Sequence, residues 1–586
     1  MHGEIPSQGK HVKVAGSVAR FDRDFFNAET PFTAIGDGEL GGKAQGLAFI
    51  LPTLAERFAA PGEVRVAIPQ LAVITTYHFD AFMSLNGLHE DAASDLPDDR
   101  VCHRFLQGDL PSQLAGDLRA LIAAVHSPLA VRSSSLLEDA LQRPFAGVYA
   151  TKMTPNNQLD VDSRFRRLVE AVKLVWASTY FREAKGYRKT VRGPVGDEKM
   201  AVIVQEVVGA RHGERFYPNV SGVARSFNYY PSGNARPEDG AASLALGLGK
   251  TIVDGEPCWN YSPAYPQAPP PYNSIGELLD ATQREFWAVN MGQASYDPGK
   301  ETEHLMRCSL ADAEADDTLR FVASTYDPQA QRITAGAGVK GPRLVNFAPI
   351  LSYNQVALND TIRQLLSACE DAVGEPVEIE FALTVDAAGA ARLGFLQVRP
   401  LVVGHEAVTV DEAEMAGPRV LAASRHVLGN GSDDSVTDVV YVKPAAFEVS
   451  ATTAIVGELE TINDGLLREG RPYLLMGFGR WGTSDQWGGV PVAWAQICGA
   501  RAIVEASTSG LRADLSQGSH FFHNLTSFSV LYFSLDAPES RGIDWAWLDA
   551  RPAAAETQHL RHVRLAVPLS IRVDGRSGRG VIAHHD

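Results

Sequence analysis

The sequence predicts a mixed α/β protein of three units, at residues 1–240, 241–405 and 406–586. Three observations predict it. At 586 residues the chain is too long for a single hydrophobic core. Short apolar runs that read as strands alternate with stretches of helical periodicity, and the pattern changes after Val403. Two alternating runs, 376–384 and 393–400, flank a turn rich in Asp, Ala and Gly, the mark of a β-hairpin.

Hydrophobic residues make up 45% of the chain and charged residues 21%, an ordinary globular balance. The formal net charge of -17 argues against a general binder of nucleic acid or anionic membrane, and still leaves room for a local basic pocket. Cys102, Cys258, Cys308, Cys369 and Cys498 are scattered, odd in number and never in a Cys-x-x-Cys, so neither a disulfide framework nor a zinc knuckle is expected. The first residues lack the apolar core of a signal peptide. No uncharged apolar run is long enough to span a bilayer. A cytoplasmic protein without a nucleic-acid or membrane partner is the expectation.

In chain order, residues 1–34 read as a polar leader and an irregular entry. The segment from Gly36 to Ala44 then precedes a periodic apolar run, Leu47 to Phe58. This reads as a glycine-rich loop at a helix N-terminus, where glycines admit a phosphate to the backbone and the helix start offers free N–H groups. It is not a Walker A loop, because Asp37 stands at the first glycine position and Ala44 replaces the magnesium-binding hydroxyl. A plain loop is the alternative. Val66 to Thr75 reads as a strand and 77–126 as helical cover. The apolar run from Leu129 reads as a buried strand that ends on Arg132-Ser133-Ser134-Ser135, with Glu138 and Asp139 behind it. It closes on Phe145-Ala146-Gly147 and a second strand through Thr151. An arginine ringed by hydroxyls after a buried strand suits an anionic ligand such as a triphosphate. A capped strand-turn with a surface salt bridge fits as well.

Residues 161–189 carry Phe165, Leu168, Val172, Val175, Trp176 and Tyr180 at helical spacing and read as one long helix. Met200 to Val208 is a nearly continuous apolar strand. Gly247-Leu248-Gly249-Lys250 is a second glycine loop. Residues 257–275, rich in Pro and Tyr, read as an extended surface loop, and the acidic run 312–317 as a solvated turn. In the hairpin, Glu380 and Gln397 would sit side by side on one face, with Arg399 one pleat further along it. Oxygen ligands on adjacent strands suit Mg²⁺, which keeps waters and bridges ATP phosphates. An arginine beside them can stabilise charge on a transferring phosphoryl group. An ordinary amphipathic hairpin is the alternative.

These segments resemble the nucleotide-binding domain of phosphoenolpyruvate (PEP) synthase and pyruvate phosphate dikinase, an ATP-grasp fold found also in rifampicin phosphotransferase. The resemblance covers roughly the first two-thirds of the chain. It rests on the Gly-Gly-Lys loop, the Arg-Ser-Ser and Phe-Ala-Gly segments, VWASTYFREAKGYR, Ser221-Gly222-Val223, and most of all IEFA followed by LQVRP. It implies two ATP-grasp subdomains at 1–240 and 241–405. Lys43 and Arg132 would hold ATP phosphates, and Thr151 would belong to the same site. Gln205 and Val207 would contact adenine, Glu380 and Gln397 would bind Mg²⁺, and Arg399 would touch the γ-phosphate. Lys250 departs from the pattern, since family members usually carry Glu there.

In the C-terminal third, Val439 to Val442, Tyr473 onward, Ala502 to Glu505 and Ser529 to Leu535 read as strands, and Thr452 to Arg468 as a helix. Family enzymes place a swivelling phosphohistidine domain here, and the order RAIVEAS, then GSHFFH, then a strand is similar to it. His520 is the candidate phosphate carrier; a structural or substrate-binding histidine is the alternative. The large PEP/pyruvate barrel of the family's full-length enzymes has no counterpart here. The reading is therefore an ATP- and Mg²⁺-dependent phosphotransferase whose acceptor is a histidine or a small molecule. An ATP-binding sensor, or an accessory subunit of a multi-chain PEP-utilising system, is the alternative. A homodimer, or a partner carrying a PEP/pyruvate barrel, is the assembly these readings allow.

Overall fold

The computed structural model describes residues 18–23, 30–60, 62–90, 94, 96–136, 138, 147–191, 198–229, 231, 233–268, 274–401, 403, 408–483, 488–508 and 520–585. The architecture is mixed α/β, with three large sheets. A six-stranded N-terminal sheet runs in the order Ala19–Arg20, Phe32–Ile35, Leu71–Ile74, Met200–Glu206, Leu129–Ser135, Thr151–Thr154. Its middle strands are apolar on both faces because both are covered. Ala201 and Ile203 join one buried cluster, and Met200, Val202 and Val204 join the other. Helices Thr76–Asn86, Asp98–Gln107, Ser112–Ala124 and Val161–Ser178 cover one face. They pack around the fully buried Trp176, whose ring meets Phe79 and Phe82 at centroid distances of 6.1 and 4.9 Å. Helix Gly42–Arg57 and the central sheet cover the other.

The central sheet is also six-stranded, in the order Trp259–Tyr261, Ala241–Ala245, Val220–Arg225, Val377–Val385, Ala391–Pro400, Val64–Ala67. It takes strands from both sides of residue 240. The expected hairpin is there, with Glu380 opposite Gln397 and a bulge between Glu380 and Phe381. A four-stranded sheet, Leu305–Ser309, Glu285–Asn290, Arg215–Tyr217 and Ala210–His212, stands beside it. In the C-terminal third, Leu531–Leu535, Ala500–Ala506, Tyr473–Phe478 and Asp438–Val442 form the parallel centre of a seven-stranded sheet. Helix Thr452–Arg468 crosses between two of them, as its periodicity implied. At one edge, the fully buried Asp438 receives His562, Arg471 and Arg564. Burial alone would raise its carboxyl, but these partners hold it well below the usual carboxylate range.

Four local readings are corrected. Residues 66–75 are two strands in different sheets. Val64–Ala67 pairs with Ala391–Gly394, and Leu71–Ile74 with Phe32–Ile35. Pro69, lacking an N–H, sits at the crossover. Residues 161–189 form two helices, Val161–Ser178 and Arg182–Val191. The Ser178 hydroxyl donates back to the Val175 carbonyl at 2.7 Å and accepts from the Ala150 amide at 3.0 Å, fixing the break. The acidic run is not a solvated turn. Ser309 caps helix Leu310–Ala315, and Asp316 takes both Arg215 at 2.7 Å and the Tyr217 hydroxyl at 2.8 Å. The Pro- and Tyr-rich loop contributes an edge strand, Trp259–Tyr261, to the central sheet. All five cysteines are free. Among the described residues no helix is long and apolar enough to cross a membrane.

Candidate functional site

A cavity of about 300 Å³ opens between the N-terminal and central sheets. Lys43, Arg132, Thr151, Gln205, Val207, Glu380, Gln397 and Arg399 all line it. Lys43 reaches it from the first turn of helix Gly42–Arg57. The two glycines before it are required by close approach: a Cβ on Gly41 would lie 1.7 Å from the Ser134 carbonyl oxygen, and one on Gly42 1.6 Å from that of Glu138. The helix start is thereby pressed against the Arg-Ser-Ser strand. Lys43 donates to Glu138 Oε1 at 2.7 Å and to Ser133 Oγ at 3.1 Å, and the Ala44 amide donates to Ser134 Oγ at 3.1 Å.

Arg132 ties the two sheets together. Nη1 donates to the Leu396 carbonyl at 3.0 Å and to Gln205 Oε1 at 3.4 Å; Nη2 donates to Gln397 Oε1 at 2.8 Å and to Glu380 Oε2 at 3.3 Å. Leu396 is the extra residue of the hairpin bulge, which turns its carbonyl to the guanidinium rather than into the strand ladder. Because Glu380 and Gln397 both reach Nη2, their oxygens converge on one point. The pair fits Mg²⁺, which is commonly held by one or two protein oxygens plus substrate phosphates and water. Among the described residues no group of three or more His, Cys, Asp or Glu stands together as a metal site.

The far end of the cavity is apolar, with Met153, Val207, Leu248 and Leu305 in its wall and in one packed cluster. Gln205 is buried there. The Val207 amide donates to the Pro128 carbonyl at 2.9 Å, so this donor is already engaged. Along one side, the Thr151 amide donates to Glu301 Oε1 at 3.0 Å, and burial pushes the Glu301 carboxyl up. Lys250 pairs with Asp254 at 2.8 Å and stands 5.7 Å from the centroid of the Trp287 ring. Its charge is therefore matched by the residue that caps its own short helix, Lys250–Val253.

Two acidic residues bonded to the candidate site escaped the sequence reading. Glu378 binds Arg399 from Nε to Oε1 at 2.6 Å, one pleat from Glu380 on the same face. The alternation that singled out Glu380 points equally to Glu378. Glu301 carried no signal, since its place opposite Thr151 depends on the fold. His520 opens helix His520–Ser527, but its side chain and residues 509–519 lie outside the described residues.

In the C-terminal sheet, Glu505 is buried next to the end of strand Ala500–Ala506. It accepts from the Trp481 amide at 2.8 Å and from the Tyr532 hydroxyl at 2.5 Å. Burial outweighs those donors and pushes its carboxyl from the ordinary 4.5 up to about 7. A raised pKa means the native state keeps a proton that the unfolded chain has released. The stability linked to this group is full below about 4.5 and is lost as pH rises through about 7. Glu505→Gln should therefore flatten the decline of the urea midpoint over that interval, with wild type as the reference; an unchanged slope would refute the assignment.

The fold and this cavity define a class: mixed α/β proteins with a polar cleft between two sheets that suits a nucleotide. The chain belongs to the family described as pyruvate phosphate dikinase, AMP/ATP-binding domain, whose sequence profile matches residues 38–418. It is 23% identical over 394 residues to phosphoenolpyruvate synthase of Aeropyrum pernix, covering 63% of this chain and 43% of that protein. It is 25% identical over 188 residues to the uncharacterized phosphotransferase YvkC of Bacillus subtilis, covering 32% of this chain and 20% of that protein. The chain thus spans less than half the length of these curated relatives.

Proposed function

We propose that this protein is an ATP- and Mg²⁺-dependent phosphotransferase of ATP-grasp design, with ATP held between the N-terminal and central sheets. The observation that carries the reading is Arg132, whose one guanidinium meets residues from both sheets where a polyphosphate would need charge. Adenine would lie at the apolar end, near Gln205 and Val207. The phosphates would lie against Lys43, Arg132, Thr151 and Arg399. Glu380 and Gln397 would hold Mg²⁺, which when bound neutralises charge on the phosphates. On ATP binding, Arg132 would exchange its contacts with Glu380 and Gln397 for phosphate oxygens, freeing those oxygens for the ion. The γ-phosphoryl P–O bond breaks as the acceptor's nucleophile attacks in line, and Arg399 offsets the charge that develops. The acceptor is a histidine, with His520 the candidate, or a small molecule bound by the C-terminal unit.

Incubation with ATP and Mg²⁺, with nucleotides followed by chromatography, tests this. Consumption of ATP is expected, and its loss in Glu380→Gln ties it to this cavity. AMP with phosphate would indicate double phosphoryl chemistry and make His520→Ala the next variant; ADP would indicate single transfer. Binding without consumption would favour the second reading, an ATP sensor. That reading draws on the segment after strand Tyr473–Phe478, where Arg480 donates to the Gly255 carbonyl at 3.2 Å, just beyond helix Lys250–Val253 of the cavity wall.

A further inference from the structure

On the cavity face of the N-terminal sheet, Gln205, Ala130 and Met153 form one row across three strands, and Arg132 and Thr151 belong to the next. The rows are two residues apart, about 7 Å. The first row lies at the apolar end, where adenine is placed, so the second is one step toward the phosphates. That is the level a ribose crosses. Thr151–Thr154 is the edge strand of this sheet, and the loop between strands Glu285–Asn290 and Leu305–Ser309 runs along it. The loop brings Glu301 to the Thr151 amide. Lys152, on the opposite side of the strand and buried, holds the loop in place. Its ammonium donates to the Pro298 carbonyl at 2.9 Å and the Lys300 carbonyl at 3.0 Å, and pairs with Glu303 at 2.6 Å. Glu303 also takes Arg167 at 3.2 Å and the Asp297 amide at 3.1 Å. The chain is thus anchored on both sides of Glu301, whose side chain stays accessible in the cavity wall. Its Oε1 is engaged by Thr151, and among the described residues its Oε2 has no hydrogen-bond donor.

We propose that Glu301 reads the sugar: its Oε2 accepts a hydroxyl of the nucleotide's ribose, so that the site selects ribonucleotides over deoxyribonucleotides. The proposal rests on the reading of the cavity as an ATP site. A carboxylate repels phosphates, so the ligand groups that suit it beside a polyphosphate path are neutral donors, and the ribose hydroxyls are the donors at this level. Hydrogen bonds to a charged acceptor are among the stronger ones. Because Lys152 fixes the loop beforehand, the bond forms without the cost of ordering it. A deoxyribose leaves Oε2 to water, which reaches it, and loses that bond alone.

The test is calorimetric titration of the full chain with ATP, 2′-deoxyATP and 3′-deoxyATP. Wild type should bind ATP about tenfold more tightly than at least one of the two analogues. Glu301→Ala should weaken ATP binding to the level of that analogue and leave the analogue's own affinity unchanged, which also reports that the variant is folded. Glu301→Gln should keep part of the preference, because its amide oxygen still accepts a hydrogen bond. Equal affinity of wild type for all three nucleotides, a preference that survives in Glu301→Ala, or an equal loss for all three in that variant would overturn the proposal while the ATP reading stands. The last of these would mean that Glu301 only braces Thr151. A wild-type protein that bound none of the three would remove the ATP reading itself, and the proposal with it.

Discussion

Arg132→Met should lower ATP turnover by about a thousandfold, the effect of withdrawing an arginine that faces a transferring phosphoryl group. Its stability cost should be small. The ion pair it removes, to Glu380, is partly open to solvent, with side-chain exposures of 13% and 18%, so water can take over. Arg132→Lys should not rescue turnover. A point charge with three donors cannot serve the Leu396 carbonyl, Gln205, Glu380 and Gln397 from one planar fork. Steady-state turnover with the urea midpoint measured alongside decides the matter. Turnover within tenfold of wild type would remove Arg132 from the site.

The second large effect falls on stability. Lys43→Met strands the Glu138 carboxylate, whose side chain is 1% exposed and which would retain, among the described residues, the Ser133 hydroxyl and Ser135 amide as donors. Removing one partner of a buried pair leaves an uncompensated charge and costs about 3–5 kcal/mol. A marked fall in the first thermal transition is expected. Lys43→Met combined with Glu138→Gln should recover most of it, because the amide keeps hydrogen bonds without a buried charge. Nucleotide binding should stay impaired in both variants, since neither carries the ammonium group at the helix start. Recovery of stability without recovery of binding separates the two duties of Lys43. An equally unstable double variant would mean that packing of the lysine stem, not its charge, holds the strand to the helix.

The hairpin shows how far local pattern reaches. Side chains in a strand alternate with a period of two, so the spacing of Glu380, Gln397 and Arg399 was enough to place them on one face. The same logic located Thr452–Arg468 by its helical period and the strand Met200–Glu206 by its continuous apolar run. It failed at Pro69, where a single apolar run serves two sheets, and at Thr179–Phe181, where one hydroxyl interrupts a helical period.

The sequence by itself determined the α/β class, most of the elements and the shared face of Glu380, Gln397 and Arg399, because periodicity is a local property written in consecutive residues; Lys43, Thr151, Gln205 and Val207 were reached through the resemblance to a family. Only the tertiary structure decided which charges are spent on one another. Arg132 answering the Leu396 carbonyl, Glu301 holding the Thr151 amide, and the buried Lys152 paired with Glu303 all join residues far apart in the chain. A buried charge is defined by the partner that faces it, and no local period announces that partner.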